Sequence, residues 1–171
     1  MVIAVDENTG KTRGSEYGRY KTNRGEAHRV VVPDFKMKNP GNPTKEELNT
    51  FAKKLYDSYA KKHDLGNRVR VYYVKGANEN KMTELMKSAE TNDRKNGFYT
   101  NSDYGIVGHN CGTYGADVIK KSMPWYKLSG FGLYSFGTPS SVAPSRGKTG
   151  EYENEKDSNF NIDWLSWFNS D

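Results

Sequence analysis

Apolar and polar positions along this chain alternate with two periods, and the switches between them mark the elements. Val2-Ile3-Ala4-Val5 opens the sequence as a short apolar run. The turn-rich Asp6-Glu7-Asn8-Thr9-Gly10-Lys11 separates it from residues 13–20, so the two segments predict a β-hairpin. Residues 27–32 predict a third strand, with His28, Val30 and Val32 on one face and Pro33 as its end. After Asn39-Pro40-Gly41-Asn42-Pro43, Thr44 and Glu47 form a T-x-x-E capping box. Leu48, Phe51, Leu55 and Tyr59 then follow at helical spacing, with Gly66 as the expected stop. Residues 68–74 predict a fourth strand. Met82, Leu85, Met86 and Ala89 mark a second helix, expected to close before Asn96-Gly97.

A third helix carries Cys111, Tyr114, Gly115, Val118 and Ile119 at i, i+3, i+4, i+7 and i+8, a single stripe. Lys120 and Lys121 lie near its C-terminus, where the helix dipole favours cations, and Pro124 ends it. Beyond it the chain turns Gly-, Ser-, Thr- and Pro-rich, then acidic. Trp164, Leu165, Trp167 and Phe168 form a short amphipathic end expected to dock on the core. These patterns predict an α+β fold with an antiparallel sheet of about four or five strands and three main helices. They divide the chain into a core domain, residues 1–136, and a polar extension, residues 137–171. Because a core strand starts at the first residues, the sequence reads as a fragment of a longer protein.

Composition adds to this picture in three places. Hydrophobic residues make up only 34% of the 171, so the core must lean on the 13% that are aromatic. The net charge of +5 comes from a basic surplus in residues 1–75. Arg13, Arg19, Arg68 and Arg70 interleave there with Tyr17, Tyr20, Tyr72 and Tyr73, which admits a nucleic-acid surface. A solvated face explains the same pattern, since no compact basic block occurs. The single cysteine cannot form an internal disulfide. No apolar run reaches the roughly 20 residues of a transmembrane span. Met1–Asp6 reads as strand rather than leader, so delivery or secretion without a signal peptide is expected, or else a cytoplasmic location. One Cys and three dispersed His have no metal-ligand spacing, and no Gly-rich phosphate loop occurs, so no metal or cofactor is expected.

Chemistry therefore centres on Cys111. A thiol attacks as thiolate, and the first turn of a helix favours the anion through its unpaired N–H groups and the positive dipole end. His109, Asn110 and Gly112 give it a polar, uncrowded approach, and a backbone N–H nearby suits an oxyanion. The plain alternative is a buried small hydrophobe, the usual state of a lone cysteine. A thiol enzyme also needs a base oriented by a third group. His63 sits in a Lys-rich helix end, and His109 lies too close in sequence for a direct relay. His28 is the remaining candidate.

Asn110-Cys111-Gly112-Thr113-Tyr114, opening a helix after two or more strands, resembles the Asn-Cys motif of circularly permuted papain-like hydrolases. That group includes permuted NlpC-like thiol peptidases and lecithin:retinol acyltransferase-like proteins. The longer pattern resembles the C-terminal domains of Rhs/YD-repeat polymorphic toxins. It comprises Glu16-Tyr17-Gly18-Arg19-Tyr20, Val32-Pro33-Asp34, the Thr44 helix, Val71-Tyr72-Tyr73-Val74 and Gly108-His109-Asn110-Cys111. The resemblance implies a Cys nucleophile on a helix packed against an antiparallel sheet. It also implies a catalytic His on an early strand and an orienting polar residue on the next. Carried over, Cys111 matches the nucleophile. The histidine would fall at or just before Met1, where this sequence has none. Either the base lies upstream, or it is lost, or His28 substitutes with Glu16 as its orienting group. The function implied is a cysteine-dependent amidase, peptidase or acyl-transfer toxin of bacterial antagonism, borne by a larger Rhs-type carrier and matched by an immunity protein. Its substrate would be a peptide, protein or lipid acyl group. The competing reading is a non-catalytic module, either an inactive relative that binds a protein partner or a basic nucleic-acid surface.

Overall fold

The computed structural model describes residues 1–19, 24–92, 102–105, 109–124 and 148–154. Tyr20, Asn96-Gly97 and the amphipathic end at residues 162–168 lie outside the described residues. The chain divides into two interleaved units. The first comprises residues 1–5, 13–30 and 76–145, and the second residues 6–12, 31–75 and 146–171.

In the first unit the sheet runs β1 (Val2–Val5), β2 (Thr12–Arg19), β3 (Arg24–Val30) and β5 (Ser102–Asp103), adjacent in that order. β2 and β3 are antiparallel, with Glu16 opposite His28 and Tyr17 opposite Ala27. β3 and β5 are also antiparallel. The pleat sends alternate residues to opposite faces. On β2, Ser15 and Tyr17 are buried and face the helices. Helix α2 (Glu79–Glu90) is capped by Asn78, whose side chain accepts from Lys81 N. It contributes Met82, Met86 and Ala89 to the core. Helix α3 (Cys111–Ser122) contributes Tyr114 and Val118, which meet Val2, Ala4, Tyr17 and Ala27 of the sheet. The cluster is thin in aliphatic side chains, and the tyrosines supply its bulk, as the composition required.

Two polar contacts are built into this core. Arg13 forms an ion pair with Glu90, tying β2 to the end of α2 with both side chains largely buried. Ser15 Oγ and the Tyr114 hydroxyl share a 2.8 Å hydrogen bond although neither residue is exposed to solvent. Burial pushes the Tyr114 hydroxyl up to about 12, so it stays protonated across the physiological range. Removing one member of a buried polar pair strands the other. Tyr114→Phe is therefore expected to cost about 1–2 kcal/mol in urea unfolding. The double variant with Ser15→Ala should lose less than the two single losses together. Strict additivity would show that the bond contributes nothing.

The second unit is organised around α1 (Lys45–Leu55). Thr44 Oγ1 accepts from Glu47 N, and Glu47 Oε2 accepts from Thr44 N, which is the capping box expected from the sequence. Glu47 Oε1 also accepts from Lys38 N. Leu48, Phe51 and Leu55 are buried, and Phe35 stacks on Phe51 with ring centroids 4.6 Å apart. The helix does not run straight to Gly66. It widens into a π turn at Tyr56–Ala60, tightens into a 3₁₀ turn at Lys61–His63 and stops at Asp64 in the left-handed conformation. The widened turn keeps Tyr56 and Ala60 buried as a continuation of the α1 face.

The expected fourth strand, β4 (Arg68–Tyr73), is not part of the main sheet. It pairs antiparallel with β6 (Lys148–Glu153), a strand formed by residues that read as polar extension. Gly150 lets this strand pack closely on α1, since a Cβ there would come within 2.4 Å of the Leu48 backbone. A segment with Lys148, Thr149, Glu151 and Glu153 has no apolar alternation to signal a strand. Cross-strand partners hold it, chiefly Arg68 and Arg70 against Glu151.

Candidate active site

Asn110 sets the start of α3. Its backbone is extended, and its Oδ1 accepts from Gly112 N at 2.9 Å and Thr113 N at 3.0 Å. Thr113 Oγ1 accepts in return from Asn110 N, a second capping box that the sequence pattern did not announce. Asn110 is buried, so it serves as a structural cap rather than a solvent-facing contact residue. Because its Oδ1 already holds the Gly112 N–H, an oxyanion competes with the cap for that donor.

Cys111 occupies the first helical position and is half-buried. Burial pushes its thiol above the ordinary value. Weaker influences, the N–H groups of Gly112 and of Cys111 itself among them, act in the opposite direction and favour the thiolate.

Tyr104, which no sequence pattern singled out, lies near enough to Cys111 for each group to influence the titration of the other. Burial, then the neighbouring Cys111, push the Tyr104 hydroxyl well above the usual phenol range. The Gly105 N–H donates to the His109 carbonyl at 2.9 Å, which returns the chain to the start of α3 beside Tyr104. The ring of Tyr104 stacks on Tyr17 at 6.0 Å, and Tyr17 stacks on Tyr114 at 5.6 Å. Gly25 leaves room for this stack, since a Cβ there would come within 2.1 Å of the Tyr17 hydroxyl. Arg19 lies over the Tyr104 ring at 5.8 Å and donates to its carbonyl at 3.3 Å.

The structure brings His28 and Glu16 together but not to Cys111. They are register partners on β3 and β2, and both alternate with the core-facing Tyr17 and Ala27. They therefore stand on the sheet face turned away from α3, where His28 Nε2 lies 3.2 Å from Glu26 Oε2. His28 as a base for Cys111 is corrected on this ground, and Glu16 as its orienting group with it. His109 is exposed, and its carbonyl accepts from Gly105 N. His63 stacks on Tyr59 in the second unit.

The supposed nucleic-acid surface also changes on inspection. Arg13 pairs with Glu90, Arg68 and Arg70 meet Glu151, Tyr17 is core, and the Tyr73 hydroxyl donates to Glu7. These residues serve the fold's own contacts.

The site is thus a helix that opens on a half-buried cysteine and packs against the first strands of the sheet. The family model of TseH-like type VI secretion system effectors matches residues 1–128. The chain belongs to that family. The crystal structure of the type VI secretion system effector TseH shares its fold, with a TM-score of 0.54 at 21% identity. The match covers 70% of this chain and 63% of that one, so this chain spans less than two thirds of TseH. No curated protein sequence matches the chain. Among the described residues no helix is long and apolar enough to cross a membrane.

Proposed function

We propose that this TseH-like effector is a cysteine-dependent hydrolase or acyl-transfer toxin of bacterial antagonism, with Cys111 as nucleophile. The observation that carries the reading is the half-buried Cys111 thiol at the first position of α3, the end of the helix where backbone N–H groups and the positive dipole end lie. In this reading a base takes the Sγ proton, Sγ attacks a carbonyl, the same proton passes to the leaving amine or alcohol, and water hydrolyses the thioester to release the acid and restore the thiol. Tyr104 is placed to donate to the charge that develops at the reacting centre. The resemblance to permuted papain-like enzymes assigns the base to a position at or just before Met1. The acyl donor would be a peptidoglycan peptide, a protein or a lipid ester. A cognate immunity protein and a larger carrier, possible in the Rhs style, would complete the system.

One observation favours a second reading. A thiol raised by burial is a poor nucleophile at neutral pH, which suits an inactive relative that keeps the fold to bind a protein partner.

The pH dependence of Cys111 alkylation, followed by intact mass, tests the hydrolase reading. Burial places the apparent pKa of the folded thiol above that of the urea-unfolded chain in either reading, and the hydrolase reading requires in addition that the folded thiol still reacts. Tyr104→Phe should raise it further, because a donor to the thiolate is lost. The same shift has a stability consequence. A group whose pKa is raised on folding stabilises the fold fully below its unfolded pKa, about 8.5 for a thiol. That contribution is lost as pH climbs through the higher folded value. The native protein should therefore lose stability in this alkaline window, and Cys111→Ala should lose less. A wild-type thiol inert at every pH until unfolding would sink the hydrolase reading.

A further inference from the structure

We infer that Arg19, on the exposed end of β2, is a specificity-determining residue that holds a carboxylate of an acidic peptide substrate, several bonds from the carbonyl that Cys111 attacks. The inference rests on the reading of Cys111 as nucleophile and narrows the acyl donors open to it. Backbone geometry sets the position. The peptide plane between residues 104 and 105 is held at both ends: its carbonyl accepts from Arg19 Nη2 at 3.3 Å, and its N–H donates to the His109 carbonyl at 2.9 Å. The dimensions of one peptide therefore put that guanidinium nitrogen no more than about 9 Å from the His109 oxygen. Cys111 follows two residues later, opening α3. Along β2, Arg19 alternates onto the face of Ser15 and Tyr17, whose side chains both meet Tyr114 of α3. It thus stands on the helix side of the sheet. The Tyr104 ring lies under the guanidinium at 5.8 Å and steadies it without cancelling its charge. Among the described residues no carboxylate cancels it either, whereas Arg13 faces Glu90, and Arg68 and Arg70 face Glu151. One N–H of the five-donor fork goes to the Tyr104 carbonyl, which leaves the others for bidentate recognition of a carboxylate.

Arg19 is exposed, so its replacement leaves the core intact, and the thermal midpoint serves as a control on folding. The test labels Cys111 of the full chain with N-ethylmaleimide and with maleimidopropionate, which share one electrophile and differ in a carboxylate carried a few bonds away. Intact mass gives both rates. Their ratio is independent of the thiol's own titration, because both reagents meet the same thiolate. Arg19→Gln is expected to lower the anionic-to-neutral ratio about threefold, the size of one solvent-exposed ion pair. Lys121→Gln removes the same charge from the far end of α3, roughly 15 Å along the helix, and should leave the ratio unchanged. An equal fall with Lys121→Gln would show an effect of net charge and overturn the proposal. So would a ratio that Arg19→Gln does not move. A folded thiol inert to both reagents would remove the hydrolase reading and this inference with it. Reaction with both reagents at an unmoved ratio would remove the carboxylate anchor alone, so the two failures are distinguishable.

Discussion

Cys111→Ala is expected to abolish the toxicity of this chain in a susceptible bacterium while leaving its fold in place. Every chemical step of the proposed reaction passes through Sγ, and no second cysteine exists to replace it. Loss of a covalent nucleophile costs about a thousandfold or more in turnover, because only binding and oxyanion stabilisation remain. The structural cost is small by comparison. Cys111 is half-buried at a helix start, so truncating its single sulfur should cost about 1 kcal/mol or less. Growth of cells expressing the wild-type and variant chains, with and without an export leader, gives the answer when matched to melting curves of the purified proteins. Growth arrest that persists with Cys111→Ala would transfer the function to a binding surface and remove acyl chemistry from the account. Cys111→Ser serves as a companion, retaining a small polar side chain with a far weaker nucleophile.

Asn110→Ala should produce the largest stability loss. The side chain occupies a buried site and holds two of the first-turn N–H groups of α3. Loss of an N-cap costs about 1–2 kcal/mol in general. Here the stranded donors have little access to water, which adds to the penalty, and a total of about 2–3 kcal/mol is expected. Chemical denaturation would measure it. Asn110→Asp separates the cap from the chemistry. The carboxylate keeps both acceptor bonds, so most of the stability should return. It also places a negative charge beside the thiol, so Cys111 alkylation should move to higher pH than in the wild type. If Asn110→Ala melts with the wild type, the capping box is not what holds the start of α3.

Comparison of pattern with structure shows which physical terms a sequence exposes. The α1 cap was legible because Thr44 and Glu47 bond only to each other's local backbone. The stripes of all three helices were legible for a similar reason, since burial of one face imposes a period of 3.6 on the residues themselves. β6 was not legible. Its partner β4 lies some 80 residues away, and the strand is held by Arg68, Arg70 and the clearance at Gly150, none of which leaves an alternating pattern. The π and 3₁₀ turns that replaced a straight run to Gly66 answer to packing of Tyr56 and Ala60, which the apolar count alone does not reveal.

For the candidate site, the sequence by itself determined the helix start and the cysteine at its first turn. It determined these because they depend on residue identity and local spacing. Tertiary structure decided which groups meet the thiol. It brought Tyr104 to Cys111, stacked Tyr17 and Arg19 behind it, and turned His28 and Glu16 to the opposite face of the sheet. It also decided the balance of forces on the thiol, because the cost of burying an anion depends on what the rest of the chain places around it. The nucleophile could be read from one helix turn. Its environment comes from strands and loops remote in sequence, and only their folding together assembles it.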